Sequence, residues 1–186
     1  MDRKKVCVYC SSREGLGGEI EEGAQEIGRA IARCGAEMVY GGVNAGLMHV
    51  VASAAKEAGA KVIGVVPEVF AHRADPLCDD IIMTRDLNDR KARMMDMSDL
   101  FVVLPGGLGT IDEWISTLSW ILVQEKVNPD ADKPILVWNY ESMYRHQLLQ
   151  LKATSDSVFA RGKGVDRSRA YDELPSLLDA LAALLK

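Results

Sequence analysis

Two short apolar runs in this chain, Glu37 to Tyr40 and Leu100 to Leu104, each end in a glycine-rich turn and pass straight into a helical pattern. The turns are Gly41-Gly42-Val43-Asn44-Ala45-Gly46 and Pro105-Gly106-Gly107-Leu108-Gly109-Thr110. A strand that turns tightly into a helix is half of a βαβ crossover, and such crossovers build parallel sheets. The rest of the chain keeps the alternation. Lys4 to Cys10 reads as a first strand. Glu19 to Cys34 reads as a helix, because Ile20, Ala24, Ile27, Ile31 and Cys34 share one stripe before Gly35. Leu47 to Ala58 is a small-residue helix closed by Gly59, and Val62 to Val66 is a continuously apolar strand of the kind a doubly covered sheet holds.

Further along, the pattern predicts a short strand at Ile81 to Thr84, a polar Met-rich helix at Asp86 to Met97, and a long helix from about Thr110 to Val123. A strand at Pro134 to Trp138, a helix at Ser142 to Ala153 and a final amphipathic helix from Leu174 follow. Glu68 to Asp79 has no clear period and reads as irregular. The expected fold is α/β: a Rossmann-like, doubly wound, mostly parallel sheet with helices on both faces. No repeat, low-complexity segment or linker divides the chain, so residues 1–186 are expected to form one domain.

Composition narrows the functions. A net charge of -5 with no basic run argues against a nucleic-acid partner. No apolar run approaches the ~18 residues of a membrane span. The polar start, Met1 to Lys5, lacks the apolar segment of a signal peptide, and the expectation is a cytoplasmic protein. The four cysteines fit that compartment as free thiols. Cys7 and Cys10 form a CxxC, yet within a strand that spacing points them to opposite faces, and no second CxxC or His pair follows. His49, His72 and His146 are scattered and read as structural or exposed.

Ligands of open α/β sheets bind at the carboxyl ends of the strands, where both glycine turns fall. Glycines such as Gly41, Gly42, Gly106, Gly107 and Gly109 let backbone take positive φ and approach a ligand closely. The N–H groups of the turn and of the following helix then converge on an anion. Neither turn carries the Lys-Ser/Thr of a P-loop. Gly107-Leu108-Gly109 meets Asp112 where the dinucleotide fingerprint needs a third glycine. The pattern therefore points to a phosphate-bearing small molecule and away from a kinase or a nicotinamide enzyme.

Thr110-Ile111-Asp112-Glu113 reads as a capping box, Thr110 at the N-cap and Glu113 three residues on, which explains both residues without any chemistry. On the preceding helix, Arg90, Met94 and Met97 recur at helical spacing. Such a face mixes a cation with apolar mass and suits a wall for a base with phosphate or ribose beneath it; a solvated surface is the plainer account of its charges.

Tyr40-Gly41-Gly42 with Gly46-Leu47-Met48, Arg90-Lys91 with Met94, and Pro105-Gly106-Gly107-Leu108-Gly109-Thr110-Ile111-Asp112-Glu113 together resemble the LOG (Lonely Guy) phosphoribohydrolases that activate cytokinins. The long motif matches the family's PGGxGTxxE, and the likeness runs from the first strand to at least Trp120. It implies a homodimer, alone or within a higher assembly, that cleaves the N-glycosidic bond of adenosine 5'-monophosphate or its N6-modified forms. No metal or organic cofactor is implied. By position, the resemblance makes Arg90 and Glu113 the catalytic pair. It puts Lys91, Gly107, Leu108, Gly109, Thr110, Ile111, Asp112 and Ser119 at nucleotide-binding positions, and matches Ser12 to the family's opening CGSS. Three departures stand out. Cys10-Ser11-Ser12 lacks a glycine, the family's GGGxxGLMG appears as Gly41-Gly42-Val43-Asn44-Ala45-Gly46-Leu47-Met48-His49 with a glycine replaced at each end, and Phe70 to Asp80 does not follow the plant sequences.

In that reaction Glu113 would steady the positive charge growing on the ribose and orient the attacking water. Arg90 serves phosphate or the leaving base. Two rivals remain: a lysine decarboxylase, a label long attached to such sequences, which needs a lysine for pyridoxal phosphate, and a non-catalytic carrier of a nucleotide or molybdenum-cofactor type of ligand.

Overall fold

The computed structural model describes residues 3–128, 133–157 and 167–186. Seven parallel strands form one sheet: β1 (Lys5–Tyr9), β2 (Glu37–Tyr40), β3 (Val62–Pro67), β4 (Asp80–Thr84), β5 (Leu100–Val103), β6 (Ile135–Trp138) and β7 (Ser168–Tyr171). Their spatial order is β4-β3-β2-β1-β5-β6-β7. The chain therefore runs outward from β1 to one edge, then returns to the other side of β1. That reversal opens a crevice at the carboxyl ends of β1 and β5.

Among the described residues six α-helices cover the sheet: α1 (Gly18–Arg33), α2 (Gly46–Glu57), α3 (Leu87–Met97), α4 (Leu108–Val127), α5 (Arg145–Ser155) and α6 (Leu174–Leu185). Side chains alternate across the central strands and divide the core into two layers. Val6, Val8 and Cys10 pack with α1, α2 and α6, while Cys7 and Tyr9 pack with α3, α4 and α5. The two cysteines of the CxxC are thus separated by the sheet. Strands buried on both faces need apolar side chains at every position, which is why β1, β3, β5 and β6 read as unbroken apolar runs.

Differences from the sequence reading concentrate at polar segments. β7 has the sequence Ser168-Arg169-Ala170-Tyr171 and was not visible in the pattern. It is an edge strand with β6 as its single neighbour, so it does not need two apolar faces. Residues Glu68–Arg73 form a 3-10 turn rather than an irregular excursion. The segment expected to be a helix from Ser142 holds a second 3-10 turn, Tyr140–Ser142, before α5. Helix α4 starts two residues earlier than expected, at Leu108, with Gly107 as its N-cap. Among the described residues no helix is long and apolar enough to cross a membrane.

Candidate active site

The loop after β1 is wedged between the two glycine turns. Ser11 N–H donates to the Pro105 carbonyl at 3.2 Å, and Met48 N–H donates to the Ser11 carbonyl at 3.3 Å. Gly46 makes this possible: its φ is +52°, and a Cβ there would stand 2.3 Å from the Arg13 carbonyl oxygen. The second turn uses its glycines differently. None of Gly106, Gly107 and Gly109 has positive φ. A Cβ on Gly106 would strike Thr110 Oγ1 at 2.1 Å, whereas Gly107 and Gly109 face open space. Bare backbone at these last two positions leaves the unpaired N–H groups of the first turn of α4 accessible to an anion.

The early start of α4 overturns the capping box. Gly107 is the N-cap and makes no side-chain cap, so Thr110 sits inside the first turn and Glu113 a turn beyond it. Glu113 cannot reach back to the N-cap amide. It is 3% exposed and points inward, where its Oε1 accepts a hydrogen bond from Nη2 of Arg90, itself 8% exposed. Arg90 comes from α3, whose start is fixed by the Asp86 carboxylate accepting from Asn88 and Asp89 N–H at 2.8 and 2.9 Å. Gly41 makes room for the guanidinium, since a Cβ there would lie 3.0 Å from Arg90 Nη1. Both glycine turns thus converge on the one ion pair.

Burial pushes the Glu113 carboxyl up to about 7, against the downward pull of the Arg90 guanidinium. Its backbone is held as well. Thr117 Oγ1 donates to the Glu113 carbonyl at 2.8 Å and lies 2.9 Å from the Tyr9 hydroxyl. Arg90 Nε is buried and has no hydrogen-bond partner among the described residues.

Arg90, Glu113 and Thr110 line a cavity of about 350 Å³, within the size range of small-ligand pockets. Val43, Met48, Phe70 and Leu87 give it an apolar side, and Arg13 and Arg73 add two guanidinium groups. Cys10 also borders it, but burial, with the nearby Glu113 carboxylate adding to it, pushes its thiol well up, so it is no ready nucleophile. Among the described residues no group of three or more His, Cys, Asp or Glu is placed to hold a metal ion. The arrangement offers an anion cradle, a surface for a planar apolar group, and a carboxyl that exchanges its proton near neutrality.

Residues 48–181 match a protein family described as "Possible lysine decarboxylase". A cytokinin riboside 5'-monophosphate phosphoribohydrolase of Rhodococcoides fascians is 39% identical over 120 residues, 63% of this chain and 61% of that protein. One from Arabidopsis thaliana is 31% identical over 160 residues, 85% of this chain and 68% of that protein. The chain belongs to the LOG family. In fold, this LOG chain is similar to a molybdenum cofactor binding protein of Rippkaea orientalis, with a TM-score of 0.76 at 19% identity over 100% of this chain and 99% of that one. The molybdenum cofactor carrier protein of Chlamydomonas reinhardtii also gives 0.76, at 21% identity over 99% of each chain. The match spans less than two thirds of the Rhodococcoides relative's length.

The positions that the LOG resemblance marks divide into two groups in space. Ser12, Arg90, Gly107, Gly109, Thr110 and Glu113 border the cavity. Gly41 backs Arg90, Gly42 takes φ +66° against Gly64 and Val66, and Gly106 lies against Thr110. Lys91, Ile111, Asp112 and Ser119 do not join them. Lys91 Nζ binds Asp112 at 2.8 Å and Ser116 Oγ at 3.2 Å, and Ile111, Asp112 and Ser119 face a shallow hollow on the outer side of α4. Leu108 is 86% exposed. Consecutive helical residues point about 100° apart, so Lys91 cannot follow Arg90, nor Asp112 accompany Glu113, into one pocket.

Met94 is a correction. It is wholly buried in the layer under α3 and α4 and does not line this cavity, because it lies one turn past Arg90, over the sheet. The apolar wall comes instead from Met48, Val43, Phe70 and Leu87. Met48 and Val43 stood in the first glycine motif without being singled out. Phe70 and Arg73 fell in a stretch with no periodic signal, and Arg13 in a loop with none.

Proposed function

We propose that this LOG chain cleaves the N-glycosidic bond of a nucleoside 5'-monophosphate, an adenosine 5'-monophosphate or an N6-modified form of it, to free base and ribose 5-phosphate. The observation that carries the reading is the buried Arg90–Glu113 pair beside the open first turn of α4. Both relatives named above carry the name of that activity, which supports it further.

In this reading phosphate rests on the N–H groups after Gly107, and the base lies against Met48, Val43, Phe70 and Leu87. As the bond to the base lengthens, positive charge grows on the ribose, and the Glu113 carboxylate stabilises it in a site with little water. Glu113 takes a proton from the attacking water, whose oxygen bonds to the anomeric carbon. The base leaves with the bonding pair and takes up one proton from solvent, and Glu113 returns the proton it took from water to solvent, so the count closes. Arg90, which borders the cavity, keeps Glu113 in place and serves phosphate or the departing base.

Decarboxylation through pyridoxal phosphate fits poorly, because among the described residues no lysine lines the cavity, and Lys91 is tied to Asp112 outside it. Residues 1–186 as a single nucleotide-binding domain, a cytoplasmic setting and a homodimer joined through the outer face of α4 complete the reading. Incubation with a panel of nucleoside monophosphates, prenylated forms and the matching nucleosides tests it. Release of base and ribose 5-phosphate from monophosphates, with nucleosides untouched, is expected. Tight nucleotide binding with no product would instead mark a carrier.

A further inference from the structure

The cavity's outer wall, Phe70 and Arg73, belongs to the stretch between β3 and β4, and that stretch is held at its far end. Asn44 N–H donates to the Arg73 carbonyl at 2.9 Å, Asp75 N–H donates to the Gly42 carbonyl at 2.8 Å, and Val43 and Ala74 form an antiparallel bridge. These bonds join the wall to the first glycine turn. One side-chain pair then joins it to a helix. The Asp75 carboxylate is wholly buried; Oδ1 accepts from Leu77 N–H at 3.2 Å, and Oδ2 lies 2.8 Å from Nδ1 of His49 in the first turn of α2.

A buried carboxylate is costly unless donors satisfy it. His49 supplies the donor to Oδ2, and the carboxylate in turn fixes the ring's tautomer with the proton on Nδ1. His49 itself does not border the cavity, but its neighbour Met48 does. The pair therefore ties the Met48 side of the cavity to the Phe70–Arg73 side.

We infer that His49 and Asp75 are a positioning clamp that holds the Phe70–Arg73 wall over the cavity and sets how tightly the substrate is taken up. The inference rests on the nucleotide-hydrolase reading for its kinetic consequence, but not for its structural one. His49→Ala and His49→Asn separate the two, since the asparagine amide puts a donor near the place of Nδ1. With the wall in place a tenth of the time, apparent affinity falls about tenfold. His49→Ala is thus expected to raise KM for the monophosphate by about that factor and to leave kcat within roughly twofold, because Arg90 and Glu113 stand on other helices. His49→Asn should recover most of the loss. Amides of residues 68–78 should exchange faster in His49→Ala than in the wild type, and near the wild-type rate in His49→Asn.

Unchanged KM in His49→Ala, or a fall in kcat alone, overturns the kinetic role. Equal exchange across 68–78 in wild type and His49→Ala overturns the clamp, whatever the activity. Should the wild type hydrolyse no monophosphate, the functional reading fails while the exchange comparison still decides the clamp.

Discussion

In the proposed reaction Glu113 carries the greatest weight, and its setting makes two separable demands. Burial beside Arg90 raises the carboxyl to about 7, while the working form in the proposed reaction is the carboxylate. Activity should therefore climb as pH rises through about 7 and level off above it, read as kcat/KM against pH. Glu113→Gln should abolish that step and reduce turnover by roughly 10²-fold or more, with nucleotide binding kept. Wild-type turnover in the variant would return Glu113 to a structural part. The same shift has a stability sign. The unfolded carboxyl ionises near 4.5 and the folded one near 7, so the folded state holds the extra proton between them. Stability from this group is full below about pH 4.5 and is lost as pH rises through 7, a slope that denaturant titrations should find in the wild type and miss in Glu113→Gln. The sequence brought Glu113 into view through the long motif and Arg90 through the Arg90-Lys91 pair upstream of it. It could not tell catalysis from capping, because Thr-x-x-Glu is the same string in both; only the helix starting at Leu108 rather than Thr110 separates them.

At the scale of elements, the alternation of strand and helix was legible because buried parallel strands are apolar throughout and their helices are striped on one side. What escaped was phase. A shift of two residues at the start of α4, and the rotation of about 100° between neighbours, decide which of Arg90 and Lys91, or Asp112 and Glu113, faces inward. The residues of the wall were illegible for another reason: Phe70, Arg73 and Arg13 lie where no period exists to betray a face. Elements also depend on one another in ways a string does not record. Gly41, at the end of β2, is small because α3 delivers Arg90 against it, at 3.0 Å from where a Cβ would stand. Its φ is not positive, so alanine brings no backbone strain there. Gly41→Ala should then displace the guanidinium by a few tenths of an ångström and cost activity out of proportion to stability. The expected result is about a tenfold loss in kcat/KM with little change in the unfolding midpoint. A large loss of stability with normal turnover by the folded fraction would contradict this account.

For the whole molecule, the two groups of marked residues pose a question that one chain does not answer. The cavity group lies in the crevice between β1 and β5, while Lys91, Ile111, Asp112 and Ser119 lie on the far side of α4. That far side carries Ile111, Ile115, Trp120 and Val123 close together, with Val123 55% and Val127 79% exposed. Apolar side chains repeating along one helix face normally meet another surface. The homodimer reading supplies one: a second copy applies the same face about a two-fold axis, and each residue meets its counterpart region. Lys91 fits this arrangement, since its charge is already neutralised by Asp112. A single charge placed amid that face should be enough to break it, because a desolvated unpaired carboxylate is far more costly than a lost methyl contact. Ile115→Glu should thus scatter light as the 20.4 kDa chain, while the wild type scatters as twice that mass. Since the Arg90–Glu113 cavity faces the other way, the variant should unfold at nearly the wild-type denaturant midpoint when both are compared at dilutions where the wild type also dissociates. A wild type that stays monomeric at high concentration would remove this face from the argument and leave its apolar residues unexplained.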